Sequence, residues 1–148
     1  MNRIKSIADF VKIEHTLFSL PLIFAGVFLA SPNPPSLRLL LLILGAAVGA
    51  RTTALALNRI IDCNIDKRNP RTNDRELPSG RMAAGEAAAI LILSLGLYEA
   101  SAKLISNFCF ILSPLPLVIF LVYPYMKRFT PFAHFGVGFG LSMAPLGG

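Results

Sequence analysis

The chain has 148 residues, of which 54% are hydrophobic and 15% are charged, and its formal net charge at pH 7 is +6. Its mean hydropathy of +0.63 and the grouping of its apolar residues into long blocks exclude an ordinary soluble domain. The composition predicts an all-α fold, a polytopic transmembrane helix bundle of about four to five spans embedded in the lipid bilayer.

The first spans are separated by a strong turn signal. Residues 1–14 are of mixed charge and are typical of an amphipathic helix lying in the membrane interface. A first span is predicted over residues 13–30, with a kink at Pro21. The helix-breaking run S-P-N-P-P-S follows. A second span is predicted over residues 37–61, because about 20 helical residues cross a bilayer.

A long polar loop divides the chain after the second span. It covers residues 67–81 and reads K-R-N-P-R-T-N-D-R-E-L-P-S-G-R. A third span is predicted over residues 84–101 and a fourth over residues 108–126. The Gly-rich and Phe-rich block 132–148 is typical of the start of a fifth.

Basic residues lie mainly at one end of these spans. They occur in the N-terminal segment, in the loop after the second span and after the fourth span, whereas the opposite end carries only Arg38 and Lys103. Because cytoplasmic loops are enriched in Lys and Arg, we predict that the N-terminus and both basic loops lie in the cytoplasm. The positive charge is then explained by the loops, and no nucleic-acid partner is predicted.

Oxygen-bearing side chains recur every four residues near the end of the second span. Asn58, Asp62 and Asp66 would form one stripe along a helix, and Arg51 continues it by two turns. An amide and two carboxylates suit a hard cation such as Mg²⁺, whereas acids at a helix C-terminus oppose the helix dipole. The pattern predicts a Mg²⁺–diphosphate site at the membrane surface. Solvated charges that close the helix are the alternative.

Two other polar residues, Arg51 and His15, have two interpretations each, and Arg59 has one. Arg51 lies deep enough in the apolar run that we expect it to face a partner or a water-filled cavity, unless it reaches the membrane edge. Arg59 is nearer the edge, and we expect its charge to extend to the interface. His15, beside Glu14, could line the substrate cavity or belong to an interfacial pair.

Several segments together resemble one enzyme family. The run N-R-I-I-D-C-N-I-D at 58–66, followed by N-P-R-T and R-E-L-P-S-G, resembles the first signature of the UbiA superfamily of intramembrane prenyltransferases. The run Y-P-Y-M-K-R-F-T at 123–130 resembles the second conserved region. The opening E-H-T-L-F-S-L-P is similar to members that use 4-hydroxybenzoate. The resemblance covers essentially the whole chain.

The resemblance implies a Mg²⁺-dependent transfer of a polyprenyl chain from polyprenyl diphosphate to an aromatic acceptor such as 4-hydroxybenzoate, in ubiquinone biosynthesis. A naphthoate-type acceptor of menaquinone synthesis is second, ahead of haem and lipid acceptors. Asp62, Asp66 and Arg128 are the expected catalytic residues, and Asn58, Asp62 and Asp66 the metal ligands. Substrate contacts are expected from a further set, in which Arg51 rests on the helical stripe more than on the family: Asn58, Arg51, Lys127, Tyr123, Arg71 and His15.

The chain also departs from the family. Full members are about twice as long, with nine spans and a second Asp-rich motif, and none of the acids after Asp66 forms one: Asp74, Glu76, Glu86 and Glu99. We therefore expect residues 1–148 to be a single partial domain, the N-terminal half of the nine-helix fold, and to be inactive alone. A non-catalytic truncated membrane protein and a transporter or channel segment are the alternatives.

Overall fold

The computed structural model describes residues 3–30 and 33–129 of the chain, without the side chains of residues 3–5, 13–18 and 127–129. All regular structure in these ranges is helical, which confirms the all-α prediction. The fifth span predicted from residues 132–148 lies outside the described part.

Six helices make up the described ranges. A short helix, α1 (Arg3–Val11), precedes α2 (Ile13–Ala30), and the two are separated at Lys12, whose φ is 51°. The remaining helices are α3 (Leu37–Asp66), α4 (Ala84–Ile105), α5 (Asn107–Leu112) and α6 (Pro114–Phe129). Three stretches are long and apolar enough to cross a membrane, Leu37–Asp66, Ala84–Ile105 and Asn107–Met126, and Ser19–Ala30 is a shorter apolar helix.

The third helix continues beyond the predicted second span and includes the whole predicted polar stripe. It begins after Ser36, whose Oγ accepts a hydrogen bond from the Leu39 amide at 3.3 Å. It continues past residue 61 to Asp66, and the Lys67 amide closes its last turn by donating to the Cys63 carbonyl at 3.1 Å. The polar residues 58–66 therefore belong to the helix itself.

Small residues bring α3 and α4 into close antiparallel contact. A Cβ atom added at Gly49 would lie 2.7 Å from the Tyr98 amide nitrogen and 2.9 Å from the Ser94 carbonyl oxygen. One turn further along α3, Thr53 Oγ1 and Ser94 Oγ are 3.0 Å apart in a buried hydrogen bond. Close backbone approach at small residues is how helices associate in lipid, where apolar burial alone gives no preference.

The fourth predicted span returns along α4 and is divided at Ser113, before Pro114. Asn107, at the start of this span, accepts a hydrogen bond from Lys103 near the end of α4. Ser113, six residues further on, donates from its Oγ to Glu99 Oε2, which lies one turn earlier in α4, at 2.7 Å. The span therefore runs antiparallel to α4 and parallel to α3, against which α6 packs. The last turn of α6 consequently lies at the same end of the bundle as Asp66.

A small core closes that end of the bundle, which we call the loop end. It consists of α1, the end of α3, the loop 67–83 and the start of α4. Buried apolar side chains from all four parts meet there: Phe10, Ala56, Leu77, Met82 and Ala87. The loop is anchored by its own apolar residues and is part of the fold.

Candidate functional site

Two carboxylates are buried on the last turns of α3. Asp62 is 1% exposed and Asp66 is 6% exposed, and Asn58, one turn before Asp62, is half-buried. Thr53 marks the side of α3 that contacts α4 through Ser94. At about 100° per residue, Asp62 lies about 180° around α3 from Thr53. The stripe therefore faces away from α4, as a site between α3 and other elements requires.

The loop folds over Asp66. Arg75 Nη1 contacts Asp66 Oδ2 at 2.8 Å, and Thr72 Oγ1 donates to the Asp66 carbonyl oxygen at 3.2 Å. Hydrogen bonds within the loop support this shape, such as Ser79 Oγ to the Arg75 carbonyl at 2.6 Å. The loop turns at Gly80, whose φ of 74° is readily adopted only by glycine.

Arg59 is buried by the protein and does not extend its charge into water, so that part of the prediction is wrong. Its residue is 8% exposed, and its guanidinium forms a buried ion pair with Glu76. It also donates to the Asp9 carbonyl at 3.2 Å and lies 5.0 Å from the centroid of the Phe10 ring. The loop and α1 cover Arg59, and an acid supplied by the loop compensates its charge.

Arg51 lies on α3 two helical turns before Asn58. It is half-buried, and its buried Nε atom has no hydrogen-bond partner among the residues that the structure describes. A buried guanidinium N–H without an acceptor is costly. This position therefore fits a residue that receives an acceptor group from a bound molecule.

The other predicted site residues are spread over three elements. Arg71 is exposed in the loop, and its amide donates to Asn69 Oδ1 at 3.0 Å. Tyr123 is half-buried on α6, next to the fully buried Pro124. Lys127 and Arg128 belong to the last turn of α6 and His15 belongs to α2, but their side chains lie outside the described part. The roles of all these residues stay predictions.

Sequence reasoning missed Glu76, which is 7% exposed. In the sequence, Glu76 is one of the acids that form no second Asp-rich motif. Its partner, Arg59, is 17 residues away on another element. The adjacent opposite charges of Arg75 and Glu76, facing a helix that carries Arg59 and Asp66, are the signal that could have revealed the pairing.

The donor set fits a hard cation that keeps part of its shell for other ligands. Within the described ranges, no three His, Cys, Asp or Glu side chains cluster as a metal site, so an ion here would be held by two carboxylates and the Asn58 amide. Mg²⁺ is bound in this way, with water and substrate phosphate completing its octahedron. Two carboxylates buried near each other also favour a bound cation.

Comparison with known proteins gives a consistent family match. The UbiA prenyltransferase family profile matches residues 19–148. The chain is 32% identical over 138 residues to a 4-hydroxybenzoate octaprenyltransferase of Actinobacillus pleuropneumoniae serotype 5b (strain L20), covering 92% of this chain and 45% of that protein. It is 34% identical over 133 residues to the protein of the same name in Vibrio vulnificus (strain CMCP6), covering 84% of this chain and 43% of that protein.

Solved structures match over a similar extent. An apo structure of a UbiA homolog from Aeropyrum pernix K1 has a TM-score of 0.85 and 40% identity, covering 91% of this chain and 49% of that one. A digeranylgeranylglyceryl phosphate synthase structure, at a TM-score of 0.88 and 19% identity over 99% of this chain and 52% of that one, shares the fold. The chain spans about half the length of the curated relatives it matches.

Proposed function

Because the chain belongs to the UbiA prenyltransferase family, we propose that it forms the diphosphate-binding part of an enzyme that transfers a polyprenyl chain to an aromatic acceptor. The proposed donor is a polyprenyl diphosphate, and the proposed acceptor is 4-hydroxybenzoate, by similarity to relatives of that name. Residues 1–148 would form one partial transmembrane domain, inactive alone, in a bacterial inner membrane with a cytoplasmic N-terminus.

The single observation that carries the proposal is the pair of buried carboxylates on α3. Asp62 and Asp66 lie four residues apart beneath an ordered basic loop. Two acids at the C-terminal end of a helix oppose its dipole and lose hydration on burial, so they contribute little as purely structural groups. A cation that they bind together with a diphosphate accounts for both features.

Asn58, Asp62 and Asp66 would hold Mg²⁺, which when bound neutralises the negative charge that develops on the departing diphosphate. The transfer breaks the C–O bond between the allylic carbon and diphosphate, forms a C–C bond to the acceptor ring and releases the proton of that ring carbon. Arg75, which contacts Asp66 in this structure, would bind a diphosphate oxygen. The apolar faces of α3 and α6 would exclude water from the reacting carbon.

Arg51 would bind the acceptor. Its buried Nε lacks a hydrogen-bond partner in the described part of the chain, and a carboxylate is the group that a guanidinium binds through two parallel hydrogen bonds. This favours an acceptor with a ring carboxylate, which both 4-hydroxybenzoate and a naphthoate carry. The naphthoate of menaquinone synthesis is therefore the second candidate acceptor.

The test is a prenyl-transfer assay in membranes with polyprenyl diphosphate, Mg²⁺ and either acceptor. It compares the 148-residue chain with the same chain extended by its downstream coding sequence. Asp62→Asn removes a proposed metal ligand, and Asp74→Asn is its matched control, an exposed acid of the loop 67–83. We expect activity in the extended form only, reduced at least about 100-fold by Asp62→Asn and unchanged by Asp74→Asn.

Two outcomes would contradict the proposal. Activity in the 148-residue chain alone would show that this part is sufficient for transfer. No transfer by the extended chain to either acceptor, in membranes where the protein is present and folded, would favour the non-catalytic alternative.

A further inference from the structure

Two ion pairs of opposite polarity join α3 to the loop 67–83. In one, the helix supplies the cation, Arg59, and the loop supplies the acid, Glu76. In the other, the helix supplies the acid, Asp66, and the loop supplies the cation, Arg75. Arg59 and Asp66 are seven residues apart and hence on one side of α3, whereas Arg75 and Glu76 are adjacent. We call these four residues the crossed charge clamp.

The crossed arrangement disfavours a two-turn displacement of the loop along the helix. If the loop were displaced by two turns of α3, Arg75 would oppose Arg59, or Glu76 would oppose Asp66. Like charges brought together at low exposure are strongly unfavourable. The clamp therefore disfavours these two displaced positions, whereas two ion pairs of the same polarity would keep one attractive contact in each of them.

The two halves of the clamp differ in strength. The side chains of Arg59 and Glu76 are both 9% exposed, whereas the Arg75 side chain is 41% exposed. Breaking a buried pair leaves a charge without compensation, whereas an exposed pair is screened by water. The Arg59–Glu76 pair is therefore the main anchor of the loop. Arg75 is the member that can exchange Asp66 for another partner.

Arg59 also connects the loop to α1. Its second guanidinium nitrogen donates to the Asp9 carbonyl at 3.2 Å, and the buried Phe10 ring lies 5.0 Å from its central carbon. These contacts span 50 residues of sequence. One side chain thus fixes the position of the N-terminal helix, the loop and the last turns of α3 relative to each other.

We propose that Arg59 and Glu76 are positioning residues for the Asp62–Asp66 site, which act by holding the loop 67–83 in register above the two carboxylates. Neither residue is placed among the metal ligands. The positioning of the loop follows from the contacts alone, and only its consequence for diphosphate binding rests on the proposed function.

The first test measures loop opening by cleavage after Lys67 with a lysine-specific endoproteinase, on the chain in lipid nanodiscs. No variant in the test changes a lysine. Glu76→Gln and Arg59→Gln should each raise the rate of cleavage at Lys67 at least about tenfold, because proteolysis follows the population of the opened loop. Asp74→Asn, which removes the same charge as Glu76→Gln from an exposed loop position, should leave the rate within about twofold.

The second variant set separates pairing from a general loss of packing. The charge-exchanged double variant Arg59→Glu/Glu76→Arg should restore protection relative to either single substitution. Glu76→Asp, which keeps the charge, should be better protected than Glu76→Gln even if the double variant does not accumulate in membranes. Equal cleavage of the Glu76→Gln and Asp74→Asn variants, or of the Glu76→Asp and Glu76→Gln variants, would overturn the proposal.

A binding measurement connects the clamp to the site. Inorganic diphosphate with Mg²⁺ should bind the Glu76→Gln variant at least about fivefold more weakly than the parent chain, since a misplaced loop weakens a preorganised site. Asp62→Asn should abolish binding without changing cleavage at Lys67. If the parent chain binds no diphosphate, the proposed function fails and the cleavage result still decides the role of the clamp. Unchanged diphosphate affinity in Glu76→Gln, alongside faster cleavage, would overturn the link to the site.

Discussion

Three buried charged residues near the end of α3 show how single charged side chains are accommodated in the fold. Arg59 and Asp66 each have an ion-pair partner from the loop, and Asp62 is 1% exposed within the same turns. A charge inside an apolar helix is tolerated only when it faces protein or a polar cavity. The polarity of α3 is therefore concentrated at the loop end, where the fold supplies partners.

Arg51 gives a prediction at this scale. Replacing it by Met keeps the length of the side chain and removes the charge. We expect the KM for the carboxylate acceptor to rise about 10–100-fold, with a smaller change in kcat, because one charge-assisted pair is worth about 1.5–3 kcal/mol. Steady-state prenyl transfer by the extended chain, with the acceptor concentration varied, measures this.

Arg38→Met is the control for that substitution. Arg38 is exposed at the other end of α3, and its removal should leave both constants unchanged. A fall in kcat with an unaltered acceptor KM in Arg51→Met would mean that Arg51 does not bind the acceptor.

At the scale of whole helices, the closest packing is the contact between α3 and α4. Gly49 and Gly45 permit it, because an added Cβ would lie 2.7 Å from the Tyr98 amide nitrogen or 2.9 Å from Ser101 Oγ, respectively. The first of these neighbours is backbone and cannot move aside, whereas the second is a rotatable hydroxyl. The spacing of the two helices is therefore determined mainly at Gly49.

Gly49→Ala should lower the free energy of unfolding by about 1–3 kcal/mol, as expected for overpacking at a fixed backbone contact. Gly96→Ala is the matched control, since nothing lies within 4 Å of a Cβ at that position of α4, and it should be neutral or slightly stabilising. Denaturation in mixed micelles, followed by circular dichroism, measures both. A Gly49→Ala chain as stable as Gly96→Ala would show that the helices pack less closely than described.

The buried hydrogen bond between Thr53 and Ser94 should contribute little beside this packing. A double-mutant cycle with Thr53→Val and Ser94→Ala is expected to give a coupling of about 0.6 kcal/mol, the size typical of hydrogen bonds between membrane helices. The same micelle unfolding experiment applies. A coupling near zero would mean that Ser94 is satisfied by the Leu91 carbonyl, to which its Oγ also donates at 3.0 Å.

At the scale of the whole molecule, the two ends of the bundle differ in chemistry. The loop end collects the buried acids, their basic partners and the small core around Phe10. The outer faces of the spanning helices expose large apolar side chains such as Ile92, Leu93 and Phe108, which suits contact with lipid.

Labelling of introduced cysteines tests the orientation. With Cys63 and Cys109 replaced by Ser, we expect Asn107→Cys to react with a membrane-impermeant maleimide on intact bacterial spheroplasts. Asn73→Cys, in the loop, should react only after lysis, because the basic loop is predicted to be cytoplasmic. Both positions are exposed, so accessibility should depend only on the side of the membrane. The reverse pattern would place the proposed site outside the cytoplasm.

Local patterns in the sequence are sufficient to predict most of the helices and the polar stripe on α3. Apolar blocks separated by Pro-rich and charged segments are local signals, and they placed α2 and the starts of α3 and α4. Helical periodicity predicts that Asn58, Asp62 and Asp66 share one face of α3. The motifs at 58–66 and 123–130 also indicate the UbiA family, and the family profile match shows that the chain belongs to it.

The partners of those residues follow from the tertiary structure and not from any local pattern. Arg75 reaches Asp66 across 9 residues, Glu76 reaches Arg59 across 17, and the Asp9 carbonyl reaches it across 50. Helical periodicity relates only residues within one helix, so it could not show that a polar loop folds back onto α3 or that Arg59 is buried. The position of the loop depends on packing of Leu77 and Met82 against α1, α3 and α4, which is a property of the assembled fold.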